Sequence, residues 1–361
     1  MARYNVIVGL SGGVDSALAG LRLKAQGHTV SGLFMNNWED DDTDVYCSSR
    51  EDLSDAVAVA EHLGIEVDAV NFTREYHERV FARFLEGLRA GYTPNPDVWC
   101  NSEIKFKSFL DSALARGADR VATGHYARVQ ERDGGYGLLK GADTGKDQSY
   151  FLYALSQAAL SRVLFPVGEL NKREVRAQAA AAGLSVHDKP DSTGICFVGE
   201  RPFRAFLARY LPLRPGLVRS AEGRVLGEHQ GVPFYTLGQR QGLSIGGVRG
   251  AMEAPWYVAV KDLVANELIV VQDRRHPLLS SRSLVASGLH WVSGTPPDTP
   301  LRCRAKTRYR QPDQGCTVVC IEDGQCRVEF EDEQWAVTPG QSVVFYQGET
   351  CLGGGTIELR R

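Results

Sequence analysis

Residues 4–27, YNVIVGLSGGVDSALAGLRLKAQG, constrain the fold more than any other stretch of this chain. Tyr4 to Leu10 is an apolar run, Ser11 to Ser16 is rich in glycine and serine, and Ala17 to Gln26 has a helical pattern that stops at Gly27. A strand that passes through such a turn into a helix sets backbone N–H groups at a helix N-terminus. That is where an open α/β sheet receives an anion. Gly12 and Gly13 allow the backbone to approach a phosphate, Ser11 and Ser16 add hydroxyl donors, and Asp15 is suited to a magnesium ion. The eight residues Gly9, Leu10, Ser11, Gly12, Gly13, Val14, Asp15 and Ser16 are therefore expected to form a nucleotide phosphate loop. Neither a Gly-Lys-Ser/Thr sequence nor G-x-G-x-x-G occurs in it.

The alternation continues with a strand over His28–Met35, a helix over Asp52–Leu63 stopped at Gly64, a strand over Ile65–Phe72, a helix over Ile104–Ala115 and a strand over Arg120–Thr123. Strands and helices in this order predict an α/β fold with a doubly wound parallel sheet. SYFLYALSQAAL, KREVRAQAAAAG and the segment from Pro202 extend the helical part to about residue 210. Beyond Pro215 short strands take over, and Asp323-Gly324 between two alternating runs is a hairpin signal. A chain of 361 residues is too long for one core. The predicted division is a catalytic domain at 1–200, a glycine-rich connecting domain at 201–279 and an all-β barrel at 280–361. The net charge of −3 requires any nucleic-acid surface to be local.

Eight cysteines without a C-x-x-C pair predict free thiols in a reducing compartment. With no signal-like segment and no apolar run of about 18 residues, a cytoplasmic location without a membrane partner is expected. Two cysteines stand apart. Cys100, in Asn95-Pro96-Asp97-Val98-Trp99-Cys100-Asn101, is placed just before the helix from Ile104 and near Lys105, a setting that favours a nucleophilic thiolate. Cys196 lies in the loop sequence Asp191–Phe197. Arg302, Arg304, Lys306, Arg308 and Arg310 alternate, so a strand would gather them on one face, a phosphate-binding surface that Lys172, Arg173 and Arg176 could extend. The acidic run Glu39–Asp44 reads as a surface loop, and Cys47 as structural.

SGGVDS resembles the pyrophosphatase-type loop of enzymes that split ATP into AMP and pyrophosphate, in which residues placed like Met35 and Gly124 flank the adenine and ribose. Together with NPDVWCN, TGHYAR, KDQSYFL, DSTGICFVGE and TPGQSVVFY, it makes the chain from residue 6 to about 346 resemble the bacterial tRNA-specific 2-thiouridylases. The resemblance implies an adenine nucleotide α-hydrolase-like first domain and an AMP-forming tRNA-uridine 2-sulfurtransferase acting at wobble position 34 of the Lys, Glu and Gln acceptors. It implies ATP with magnesium, a persulfide carried by Cys196, and Cys100 as nucleophile. Asn95, Pro96 and Asp97 would contact the target base, with Asp97 moving a proton, and His125, Lys146, Asp147, Gln148, Arg308, Tyr309 and Gln341 would touch tRNA. A cysteine desulfurase or a sulfur-relay carrier would be the sulfur donor. Two alternatives stay open at this point: an iron–sulfur cluster held by Cys100, Cys196 and Asp97, and an AMP-forming ligase for a small molecule using the same loop.

Overall fold

The computed structural model describes residues 2–39, 48–191, 203–212, 214–243, 245 and 254–361. Cys47, Cys196 and nearly all of the acidic run lie outside the described residues. Five parallel strands form the first sheet: β1 (Asn5–Gly9), β2 (Thr29–Asn36), β3 (Val67–Asn71), β4 (Arg120–Ala122) and, after a hairpin of β5 (Ala127–Arg132) and β6 (Gly135–Lys140), β7 (Val163–Leu164). Their order is β3-β2-β1-β4-β7, all parallel. The chain winds outward in one direction from β1 and then in the other, so the crevice between β1 and β4 is the switch point at which such sheets bind ligands. Val6 and Val8 face one layer and Ile7 the other, all nearly fully buried. That two-sided burial explains why the strand reads as a continuous apolar run.

Helix α1 (Val14–Ala25) begins three residues earlier than its sequence pattern suggests, because Gly13 serves as N-cap. Gly27 and Gly64, which follow α1 and α2 (Ser48–Leu63), take φ +86° and +59°, as helix stops require. The segments Thr73–Tyr76, His77–Phe81 and Ala82–Arg89 run into one another, and so do Pro96–Trp99, Cys100–Ser108 and Phe109–Ala115. Each run has π geometry in its middle. SYFLYALSQAAL, expected as one helix, is two short ones, Ser149–Leu152 and Gln157–Leu160. The Ser156 side chain accepts from Ala159 N at 3.2 Å, starting the second helix by capping it rather than continuing the first.

The middle region pairs β8 (Gly216–Ser220), β9 (Val225–His229), β10 (Tyr257–Asp262) and β11 (Glu267–Val271) in the order β10-β11-β8-β9. It shares one apolar core with the first domain, in which Trp38 meets Phe81 at 4.8 Å and Phe206 at 5.6 Å between ring centres. The last six strands are β12 (Ser280–Trp291), β13 (Leu301–Lys306), β14 (Gln314–Glu322), β15 (Gln325–Trp335), β16 (Ser342–Gln347) and β17 (Thr350–Arg360). They follow the order β12-β15-β14-β13-β16-β17, and pairing of β12 with β17 closes the barrel. Asp323 and Gly324 turn β14 into β15 with φ of +49° and +73°, the mirror-image turn the dipeptide predicts.

Two features depart from the sequence reading. The β5–β6 hairpin, although it lies in the first domain's sequence, extends the barrel sheet through Thr350↔Leu139 and Cys351↔Leu138. The basic strand stops at Lys306, so its five cations do not share a face. Lys306 is 8% exposed and pairs with Asp147 at 3.4 Å, while Thr307 folds back onto Gln311 Oε1 through its N–H and its hydroxyl. A buried carboxylate and a local turn thus claim the residues that alternation alone would place outside.

Candidate active site

The loop after β1 is held open by its own hydrogen bonds. Ser11 N donates to Ser16 Oγ at 3.1 Å, and Ser16 Oγ donates to Gly13 O at 3.0 Å. Leu10 and Val14 are buried and pin the loop to the core. Gly12 has φ +73°, and a Cβ there would lie 2.4 Å from Asp52 O, so no other residue fits. At Gly13 the nearest neighbour of such a Cβ is Ser11 Oγ at 3.6 Å, which leaves that side of the loop clear for a ligand. Met35 lies beneath Gly9. Gly124, just past β4, presses on the start of α1: a Cβ would sit 2.6 Å from the Asp15 carbonyl carbon and 2.7 Å from Ser16 N. The expected loop residues, Met35 and Gly124 are thus assembled around the switch point.

Asp15 is where the charges converge. Its carboxylate accepts from Lys172 Nζ at 2.8 Å on both oxygens and from the Tyr126 hydroxyl at 2.7 Å. Lys172 also reaches Asp191 Oδ1 at 2.7 Å, and Asp191 receives Lys146 and Arg176. Partial burial works to raise the Asp191 pKa, but hydrogen bonds from Lys146 and Lys172 outweigh it and hold the carboxyl at about 2. Burial first, and then the Asp15 carboxylate, push the Tyr126 phenol far above its ordinary range, so it stays a donor. Tyr126, Lys172 and Asp191 had no assigned part in a nucleotide site from sequence. Their signal was present, since Tyr126 and Asp191 fall inside TGHYAR and DSTGICFVGE, but only the fold brings Lys172 against a residue 157 positions away.

The cysteine segment is helical rather than a loop. Asn95 is an N-cap whose Oδ1 accepts from Asp97 N at 3.2 Å, and Pro96 occupies the first turn. Cys100 is consequently inside a helix, not before one, and is fully buried in the cluster that contains Trp38, Phe81 and Ile104. The cap and the proline were legible in the sequence as a helix start. Further along the same helix, Phe109 lies against Gly9, its ring 3.4 Å from where a Cβ would be. Asn101 and Asn37 are 4% and 1% exposed, and among the described residues the Asn101 Oδ1 and both amide atoms of Asn37 have no hydrogen-bond partner. Each such group costs about 1–3 kcal/mol and marks these amides as further candidates for ligand contact.

Three family models match successive stretches of the chain: the tRNA methyl transferase HUP domain over residues 4–200, the tRNA methyl transferase PRC-barrel domain over 204–272, and the aminomethyltransferase beta-barrel domain over 281–357. Full-length relatives go further. The tRNA-specific 2-thiouridylase MnmA of Methylobacillus flagellatus is 58% identical over 355 residues, covering 98% of this chain and 99% of its own. The protein of the same name from Alkalilimnicola ehrlichii is 59% identical over 359 residues, covering 98% and 97%. The chain belongs to the tRNA-specific 2-thiouridylase family. A U34-tRNA thiolase, NcsA from Methanococcus maripaludis, matches with a TM-score of 0.35 and 19% identity over 59% of this chain and 69% of its own, too remote to add to the argument.

In this thiouridylase the residues expected to touch tRNA have differing internal attachments. Asp147 is buried and accepts from Gly141 N, Ser149 N and Lys306, and Gln148 Oε1 accepts from Tyr126 N at 2.9 Å. Arg308 donates to Leu237 O, Ala336 O and Thr338 Oγ1. Tyr309 packs on Phe151 with ring centres 4.4 Å apart, and Gln341 donates to Thr93 O at 2.7 Å. His125, 8% exposed, shares a 2.7 Å hydrogen bond with Thr123. These contacts fix the barrel and the Thr93–Asp97 approach to Cys100 as one framework. Among the described residues no three His, Cys, Asp or Glu side chains form a metal group, and a cluster that includes Cys196 falls outside them.

Proposed function

We propose that this protein converts uridine 34 of tRNA to 2-thiouridine, using ATP and a sulfur atom carried as a cysteine persulfide. The observation that carries the reading is a lysine-free phosphate loop with Asp15 at the switch point, against which the helical run that starts at Asn95 and carries Asp97 and Cys100 lays its Phe109. The C2 oxygen of uracil is a poor leaving group. Attack of that oxygen on the α-phosphorus forms an O–P bond, breaks the α–β bridge and expels pyrophosphate with the electron pair. The terminal sulfur of a Cys196 persulfide then attacks C2, and AMP departs. Attack of Cys100 Sγ on Cys196 Sγ breaks the persulfide bond, leaves sulfur on the base and ends in a Cys100–Cys196 disulfide that an external thiol reduces. Asn95 and Asp97 contact the base, with Asp97 accepting a proton, and a cysteine desulfurase or relay carrier loads Cys196.

Because Cys100 is fully buried in the free protein, the reading requires its helix to shift when tRNA binds. The test is nucleoside mass spectrometry of tRNA after incubation with ATP and a persulfide donor. Wild type should yield 2-thiouridine. Cys196→Ser should accept no labelled sulfur, and Cys100→Ser should accept it without passing it on. A Cys100→Ser, Cys196→Ser double variant working at the wild-type rate would refute the cysteine chemistry.

A further inference from the structure

The phosphate loop has no cation of its own among Gly9 to Ser16, yet a triphosphate and the pyrophosphate that leaves it carry several negative charges. Loops of the Gly-Lys-Ser/Thr kind solve this with a lysine inside the turn. Here the nearest ammonium comes from elsewhere in the chain. Lys172 is the first residue of the helix Lys172–Ala181, whose N-cap Asn171 is fixed by a reciprocal capping box with Glu174 and whose first N–H donates to Asp143 at 2.9 Å. That anchoring sends the side chain across to the start of α1. Its Nζ stands 2.8 Å from both Asp15 oxygens and 2.7 Å from Asp191.

We propose that Lys172 is the phosphate-binding cation of this site, held between Asp15 and Asp191 in the free protein and transferred to the β- and γ-phosphate oxygens when ATP binds. The proposal deepens the adenylation reading above and rests on it. Several observations support the transfer. The ion pair is not sealed, since the Asp15 and Asp191 side chains are 31% and 33% exposed and that of Lys172 13%. Asp191 has Lys146 and Arg176 as further partners and keeps its charge compensated when Lys172 leaves. Asp15 keeps the Tyr126 hydroxyl and gains room for the divalent cation that accompanies the nucleotide. During adenylation the α–β bridging bond breaks and its electron pair goes to pyrophosphate. Lys172 neutralises that developing charge and neither gains nor loses a proton.

The test compares ATP with AMP on the full-length protein, by calorimetry, and follows pyrophosphate release with tRNA present. Charge-assisted hydrogen bonds to phosphate set the expectation at about a tenfold to hundredfold loss of ATP affinity in Lys172→Met, with AMP affinity within about twofold of wild type. Lys172→Arg should recover part of the ATP affinity, and pyrophosphate release should fall in the same order. Asp191→Asn, which removes one of the two carboxylates holding Lys172, should raise ATP affinity, and a fall in it would count against the transfer. Equal loss of ATP and AMP in Lys172→Met, or unchanged ATP affinity, would overturn the assignment, because a packing role affects both nucleotides and an idle residue affects neither. A wild-type protein that binds neither nucleotide would instead dismiss the adenylation reading itself.

Discussion

His125 shows how far one side chain's surroundings dictate its chemistry. Its ring lies between Phe106 and Phe165, with centres 5.6 and 5.9 Å away. Burial first, and the nearby charge of Lys105 second, move its pKa well below 6.5. The imidazole is therefore neutral around pH 7 and acts as a hydrogen-bond partner, not as a cation for phosphate. The sign of the stability effect follows. The unfolded chain takes up a proton as pH falls through 6.5 while the folded chain does not, so the stabilisation is complete above 6.5 and lost below it. The slope approaches about 1.4 kcal/mol per pH unit. Urea unfolding at pH 7.5 and 5.5 should show wild type losing about 1 kcal/mol more than His125→Asn over that interval. An identical loss in both would mean that His125 titrates freely.

At the level of elements, the strand carrying Arg302 and Arg304 separates two kinds of arginine that look alike in sequence. Both stand on the exposed side of β13, whereas Arg308 reaches from the following turn to carbonyls of Leu237 and Ala336, joining the middle region to the barrel. Burial lowers the Arg308 pKa from its usual value, and Tyr150 partly opposes that shift. Reversal of Arg302 and Arg304 to Glu should leave the unfolding transition in place and reduce the salt slope of tRNA binding by about 0.7–0.9 per lost phosphate contact. Arg308→Glu should instead cost about 3 kcal/mol of stability, read as a shift in the urea midpoint, because it leaves buried carbonyls facing a carboxylate. The alternation of charges was plain in the sequence, but where the strand ended was not, since it depends on Asp147 arriving from another part of the chain. For the same reason the phosphate loop was legible as a local strand-turn-helix pattern, while Lys172 became part of the site only through long-range packing. The helix at Pro96 is a different case, because Asn95 and Pro96 announced it and the turn-rich composition of NPDVWCN obscured it.

For the whole molecule, the defining feature is that first domain and barrel share a sheet through β6 and β17, reinforced by Arg128 to Glu349 at 3.0 Å, Tyr150 to Ser342 O at 2.9 Å and the Lys140–Asp313 pair. A chain truncated after residue 279 should lose the first domain's cooperative thermal transition, measured by circular dichroism, since the β6 edge would be stripped of β17 and the buried Asp147 of its Lys306 cation. A truncated protein melting like the full chain would show that the shared sheet adds nothing. The same pairing also has a timetable during synthesis. At about 5–20 residues per second a ribosome needs roughly 10–40 s to travel the 200-odd residues from β6 to β17. For that interval the hairpin must wait on a nascent chain with one edge open. Its composition suits the wait: GYGLLK puts two glycines and a lysine on the strand that stands unpaired, residues that discourage a neighbouring nascent chain from adding itself in place of β17.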